Sequence, residues 1–322
     1  MSVPQSDLGL VGDIGATHAR FALVKRGGPI TSARVYELND HPSLRNAIDA
    51  YLIEEAPPAP PVQAVLAVAS PVTGDQITLT NHPWTFSVEA LRQQLGFRRL
   101  RVVNDFAANA AAIPQLGETD RLQIGGGVPE ADAPIGVIGP GTGLGVSALV
   151  QSPKGAVVIA GEGGHVTMSA ASARESTILA LMRARYDHVS AERVLSGPGL
   201  VNLYNALCEL AGKPAASYVA EQITSPSIWD ADPRTREATS LFCAMLGTVA
   251  GNLALTFGAR GGIYLTGGIL PRIALSLVQS EFRSRFEAKG RMSLYLAAIP
   301  TYLIVRPLPA LLGAAALLDE WY

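Results

Sequence analysis

The chain has 322 residues, of which 48% are hydrophobic and 16% charged, with a net charge of −2. That composition supplies a sizeable core and excludes disorder, and the length suits about two domains. No basic field invites nucleic acid, so no nucleic-acid partner is expected. The two cysteines, Cys208 and Cys243, are far apart and show no metal-ligand spacing. They read as reduced packing residues of a cytoplasmic protein. The opening "MSVPQSDLGL" has no basic region followed by an apolar stretch, so no signal peptide is expected.

In chain order, Leu8 to Gly12 reads as a strand, followed by a Gly-containing turn and a hairpin partner from Arg20 to Val24. "ARVYEL" reads as a third strand. Ser43 then caps a helix on which Leu44, Ala47, Ile48, Tyr51 and Leu52 share one face, and "APPAPP" breaks it. "VQAVLAVAS" is a continuous apolar run, as expected of a strand buried on both faces. Ser87 to Leu95 reads as a second helix ending at Gly96. "LRVVNDF" is the next buried strand, with Asn104 and Asp105 at its C-terminal end. Three linked strands followed by crossover helices predict a mixed sheet with helices on its faces.

"VIGPGTGLGVSALV", Val137 to Val150, repeats the opening strand–turn–strand pattern with one gap. Two copies suggest two similar domains facing each other. Leu241 to Ala259 carries no charge and approaches the length of a membrane span. Gly247, Gly251, Asn252 and Thr256 within it favour a buried helix between two domains, and no membrane partner is expected. A third Gly pair, in "IYLTGGILPRI", follows an apolar run and precedes a helix.

The two Gly turns can aim successive N–H groups at an anion, and two such turns could clamp a polyphosphate. Thr17 and Thr142 could add hydroxyl donors. Asp13 would repel phosphate unless a cation lies between, and Mg²⁺ takes one or two carboxylates while keeping waters. An ordinary hairpin is the competing reading of each turn taken alone. No GxxxxGK[ST] pattern is present. Asp105, after a buried strand, lies where open α/β sheets bind ligands and could accept a proton from a hydroxyl. It could equally cap the following helix. Asn104 can both donate and accept, as a polyol requires. Glu162 and His165, in "AGEGGHVTM", have no evident packing role and suit sugar hydroxyls. Glu192, in "SAERVLSGPG", is either a further ligand or a first-turn helix acid.

These segments resemble the bacterial glucokinases of the hexokinase, actin-like ATPase superfamily, in the group lacking the cysteine-rich zinc signature. The resemblance rests on "LVGDIGATHAR", "VVNDFAA", "GPGTGLGV", "GEGGHV", "HVSAERVLSGPGLVNLY" and "LTGGILPR", and runs over nearly the whole length. It implies two actin-like ATPase (ribonuclease H-like) α/β domains flanking a deep cleft. The smaller, 1–115, would be completed by a C-terminal helix within 306–322, and the larger would be 116–305. It implies phosphorylation of glucose at the 6-hydroxyl by ATP with Mg²⁺, in a homodimer. Asp105 would be the base, with Asn104, Glu162, His165 and Glu192 on the sugar. Gly12, Asp13, Gly15, Ala16, Thr17 and His18, with Gly141, Thr142, Gly143, Gly267 and Gly268, would serve the nucleotide, Asp13 also serving the metal. A kinase for another hexose and a non-catalytic sugar sensor are the rivals. One departure stands out. The family's first motif usually reads Gly-Gly-Thr-Asn, where this chain has Gly15, Ala16, Thr17 and His18, a change on the phosphate side that bears on nucleotide affinity.

Overall fold

The computed structural model describes residues 7–153 and 155–320. The chain divides into two compact units, one running to Gly117 and resuming at Arg306, the other Glu118–Val305.

The first unit is built on strands β1 (Leu8–Ile14), β2 (His18–Lys25), β3 (Ile30–Glu37), β4 (Gln63–Val68) and β7 (Arg99–Asn104), in the sheet order β3-β2-β1-β4-β7. Two short strands between them, β5 (Gln76–Thr78) and β6 (Thr85–Ser87), form a separate hairpin. The first three strands of the sheet are antiparallel, whereas β4 and β7 join parallel. The apolar run of β4 is explained by two faces. Ala64, Leu66 and Val68 enter one core with Ile48 and Tyr51 of the helix Leu44–Glu55, while Ala67 meets Ala108 and Ala310 on the other side. Ser43 caps the first helix, accepting from the Asn46 N–H at 3.3 Å. Ser87 caps the helix Val88–Gln94, and Gly96 ends it in the left-handed conformation. The helix Pro309–Asp319 returns to pack on the helix Asp105–Ala112. The crossing is close, since a Cβ on Gly313 would lie 1.7 Å from the Ala108 carbonyl oxygen.

The second unit repeats the plan. Its strands are β8 (Arg121–Ile124), β9 (Ile135–Pro140), β10 (Leu144–Val150), β11 (Val157–Gly161), β12 (Gly262–Leu265) and β13 (Thr301–Ile304), in the order β11-β10-β9-β12-β13-β8. Apart from β8, order and strand directions match the first sheet. The weak sequence repeat therefore marks the first hairpin of each of two like sheets.

Three expectations need correction. The third strand begins earlier, at Ile30, because its exposed edge carries no apolar run to mark the start. Asp105 opens a helix instead of ending β7. The uncharged stretch lies in the helix Pro233–Phe257 except for its last two residues, and that helix is long and apolar enough to span a membrane, with 67% of its apolar window buried. Its buried residues, among them Phe242, Cys243 and Leu246, belong to the core of the second unit, so packing within that unit accounts for them. Both cysteines are free and buried, and burial pushes the Cys243 thiol up to about 12.

Candidate active site

The first turn joins Ile14 to Ala19, which face each other across the hairpin, and is closed by the Gly15 N–H donating to the His18 carbonyl at 2.9 Å. One step back along the register, Asp13 faces Arg20, whose Nη1 lies 3.5 Å from Asp13 Oδ2. Burial pushes the Asp13 carboxyl above its ordinary range, and Arg20 offsets part of that cost. Gly12 lies inside the sheet. A Cβ there would come within 2.7 Å of Leu66, so packing accounts for this glycine. Gly15 has nothing nearer than 3.6 Å. Ala16 is half-buried and Thr17 exposed. His18 turns back on the hairpin, with Nδ1 2.8 Å from Thr17 Oγ1 and Nε2 2.8 Å from Glu37 Oε1.

At the end of β7, the capping residue is Asn104. Its Oδ1 accepts from the Phe106 and Ala107 N–H groups at 2.9 and 3.2 Å, and its Nδ2 donates to the Ser70 carbonyl at 3.4 Å, which leaves one Nδ2 proton to offer a ligand. The reading of Asn104 as donor and acceptor together is corrected accordingly. Asp105 occupies the first helical position, where its Oδ1 accepts from the Phe106 N–H at 2.9 Å. A carboxylate at a helix N-terminus is favoured by the unpaired N–H groups there.

In the second unit, the turn from Pro140 to Leu144 is shorter by one residue, which is the gap in the repeat. Gly141 N–H donates to the Gly143 carbonyl at 2.8 Å. Neither turn uses a glycine at positive φ, so close approach explains the small residues better than backbone conformation. Gly143 must be small because a Cβ would meet Glu192 Oε2 at 2.5 Å, whereas a Cβ on Gly141 would find nothing within 4 Å. Thr142 is exposed.

Glu192 is the junction of this unit. Its Oε2 accepts from the Leu144 N–H at 2.9 Å, and its own N–H donates to the Gly164 carbonyl at 2.8 Å. Gly164 in turn presses on Leu144, whose carbonyl oxygen would be 2.0 Å from a Cβ. The Gly197 N–H donates to the Gly141 carbonyl at 2.8 Å. The segment carrying Glu192 thus joins the loop of Glu162 and His165 to the second Gly turn. Glu162 and His165 are exposed, 3.9 Å apart. Gly267, at φ +95°, packs so close to Pro140 that its carbonyl oxygen would be 2.3 Å from a Cβ, while Gly268 borders open space.

The structure therefore gathers the second turn, the Gly267 loop, Glu192 and the Glu162–His165 loop within one unit, and Asp13, the first turn, Asn104 and Asp105 within the other. Arg20 and Glu37 were missed from sequence. Once Ile14 is known to face Ala19, the register gives Arg20 opposite Asp13, but Glu37 depends on the β2–β3 pairing, which carries a bulge between Phe21 and Leu23. Among the described residues, no cluster of three or more His, Cys, Asp or Glu could hold a metal. A cation arriving with phosphates needs only one or two carboxylates, and Asp13, with Arg20 as its partner on Oδ2, fits that demand.

Comparison with known proteins bears on the family and the fold. The glucokinase family model matches residues 10–321. The chain is similar to the glucokinase of Paramagnetospirillum magneticum, with 52% identity over 316 residues covering 98% of each chain. It is similar to that of Aromatoleum aromaticum, with 50% identity over 312 residues covering 97% of this chain and 94% of that one. The crystal structure of a glucokinase from an Antarctic psychrotroph superposes with a TM-score of 0.88 at 39% identity, covering 98% of this chain and 100% of that one. Two like α/β sheets, a paired set of Gly-containing turns and a match over nearly the full length lead to one conclusion: the chain belongs to the glucokinase family and has its two-domain actin-like ATPase fold.

Proposed function

We propose that this protein transfers the γ-phosphoryl group of ATP to the 6-hydroxyl of glucose, with Asp105 as the base. The observation that carries the reading is the arrangement after β7, where Asn104 takes the cap and Asp105 stands at the first helical position. In the reaction, the 6-hydroxyl oxygen attacks the γ-phosphorus, its proton passes to the Asp105 carboxylate, and the bond from phosphorus to the bridging oxygen of ADP breaks. The transition state is loose, so catalysis rests chiefly on positioning and charge stabilisation. Asn104 Nδ2, Glu162, His165 and the unbonded oxygen of Glu192 are assigned to the sugar. The bare backbone at Gly15, Gly141 and Gly268, with Ala16, Thr17, Thr142, Gly143 and Gly267, is assigned to the nucleotide. When bound, Mg²⁺ would neutralise charge on the phosphates, and Asp13 would hold it directly or through water. A cytoplasmic location and a homodimer complete the reading and rest on family resemblance.

The sugar assignment is tested with 6-deoxyglucose beside glucose, mannose and fructose. Glucose should be the best acceptor, and 6-deoxyglucose should compete with it without giving a phosphorylated product. Faster turnover of mannose or fructose would change the substrate. Binding of glucose with no ATP consumption would make the protein a sensor.

A further inference from the structure

Thr17, His18 and Glu37 form a line of hydroxyl, imidazole and carboxylate on the first turn, and nothing in the proposed reaction uses it as such. His18 opens β2 and Glu37 closes β3, facing each other across the hairpin. The backbone on either side is fixed, because the Leu38 N–H donates to the Thr17 carbonyl at 2.8 Å and the Gly15 N–H to that of His18 at 2.9 Å. The ring is therefore held at both nitrogens, 2.8 Å from Thr17 Oγ1 and 2.8 Å from Glu37 Oε1.

The protons on the ring decide what Thr17 can offer. A neutral ring protonated at Nε2 donates to Glu37, and its bare Nδ1 must then accept the Thr17 hydroxyl proton. Thr17 would present lone pairs alone, which repel a phosphate oxygen. A neutral ring protonated at Nδ1 would set a bare Nε2 against a carboxylate, two acceptors in contact. A ring protonated at both nitrogens donates to Glu37 and to Thr17 Oγ1, and releases the Thr17 hydroxyl as a donor. Glu37 on β3 contacts the ring, and Arg20, paired with Asp13, stands two residues along β2. Glu37 Oε1 accepts from Nε2, so the proton on Nδ1 decides which way the Thr17 hydroxyl turns.

We infer that His18 and Glu37 are positioning residues that turn the Thr17 hydroxyl toward nucleotide phosphate by taking up a proton as the nucleotide binds. This rests on the first turn being a phosphate site.

The test is calorimetric titration of the full chain with the ATP analogue AMPPNP and Mg²⁺, near neutral pH, in buffers of different ionisation enthalpy. The slope of observed enthalpy against buffer enthalpy counts protons. Wild type should take up more protons than His18→Asn, by up to one per nucleotide, and Glu37→Gln should fall between them. In ¹⁵N-histidine spectra, both His18 ring nitrogens should carry protons once AMPPNP is bound. Equal slopes in wild type and His18→Asn, with both binding AMPPNP, would overturn the inference and leave the phosphate site standing. Failure of wild type to bind AMPPNP would overturn both, and glucose phosphorylation assayed in the same preparation identifies that case.

Discussion

The two sheets share strand order and direction, yet their hairpins are furnished differently. Where β1 and β2 set Asp13 against Arg20, the corresponding positions of β9 and β10 set Gly139 against Gly145. Where β7 leads into Asn104 and Asp105, β13 leads from Ile304 into Val305. The first unit holds side-chain charge at its strand ends. The second offers bare backbone, and its Gly139 must be small because Thr266 would lie 2.7 Å from a Cβ. One strand plan used twice carries different groups at its hairpins: on the proposed reading, the base and the metal-holding carboxylate belong to the first unit, while both units contribute to sugar and phosphate.

The largest expected effect lies on the first unit. Asp105→Asn should fold and bind glucose while losing at least ~10²-fold in turnover, the usual scale for a general base. A folded variant turning over at the wild-type rate would erase the contrast between the units.

On the second unit, the corresponding damage should appear in binding. Glu192→Ala removes the proposed sugar ligand, and loss of its hydrogen bond to the sugar should cost about 1–3 kcal/mol, or roughly 5- to 150-fold in affinity, while the unpaired Leu144 N–H loosens the turn. Because Glu192 bonds to both Gly164 and Leu144, joining the loop proposed for sugar to the turn proposed for phosphate, titration should show losses for glucose and for nucleotide alike. Glu162→Gln and His165→Ala should weaken glucose alone. Identical profiles for all three variants would show that Glu192 is no junction.

Gly313→Ala sharpens the comparison through stability. The added methyl must push the helices Asp105–Ala112 and Pro309–Asp319 apart, at about 1–3 kcal/mol. Thermal unfolding should fall, and turnover with it, since the first of these helices carries Asp105. A variant as stable as wild type would mean that the crossing relaxes freely.

The smallest effect on the fold is expected at Asp13. Its carboxyl is raised in the folded state above the reference value of 3.8, so folding holds the proton more tightly and stability falls as pH rises through that interval. The cost persists at neutral pH. Asp13→Asn should match wild type in stability at low pH and exceed it at neutral pH, while losing turnover. A variant less stable than wild type at neutral pH would make the Arg20 pair a structural one.

Much of this was legible in sequence because it is local. Apolar runs, Ser43 as a cap and the two Gly turns each lie within a few residues of what they specify. The repeat was legible because each hairpin carries its turn at the same place. The β5–β6 hairpin was not, its strands being three residues each. Nor were the contacts that build the site from distant residues. Leu144 and Glu192 are 48 positions apart, and no periodicity in either segment announces the bond between them. Asn104 shows a subtler limit. Its residue type was read as a ligand, yet the helix claims one end of the amide first.

The most direct test of the account is phosphorus NMR of the purified protein with ATP, Mg²⁺ and glucose. Glucose 6-phosphate and ADP should rise together, one for one, in wild type and scarcely at all in Asp105→Asn. Unchanged ATP in wild type, or ADP and inorganic phosphate without a sugar phosphate, would contradict it.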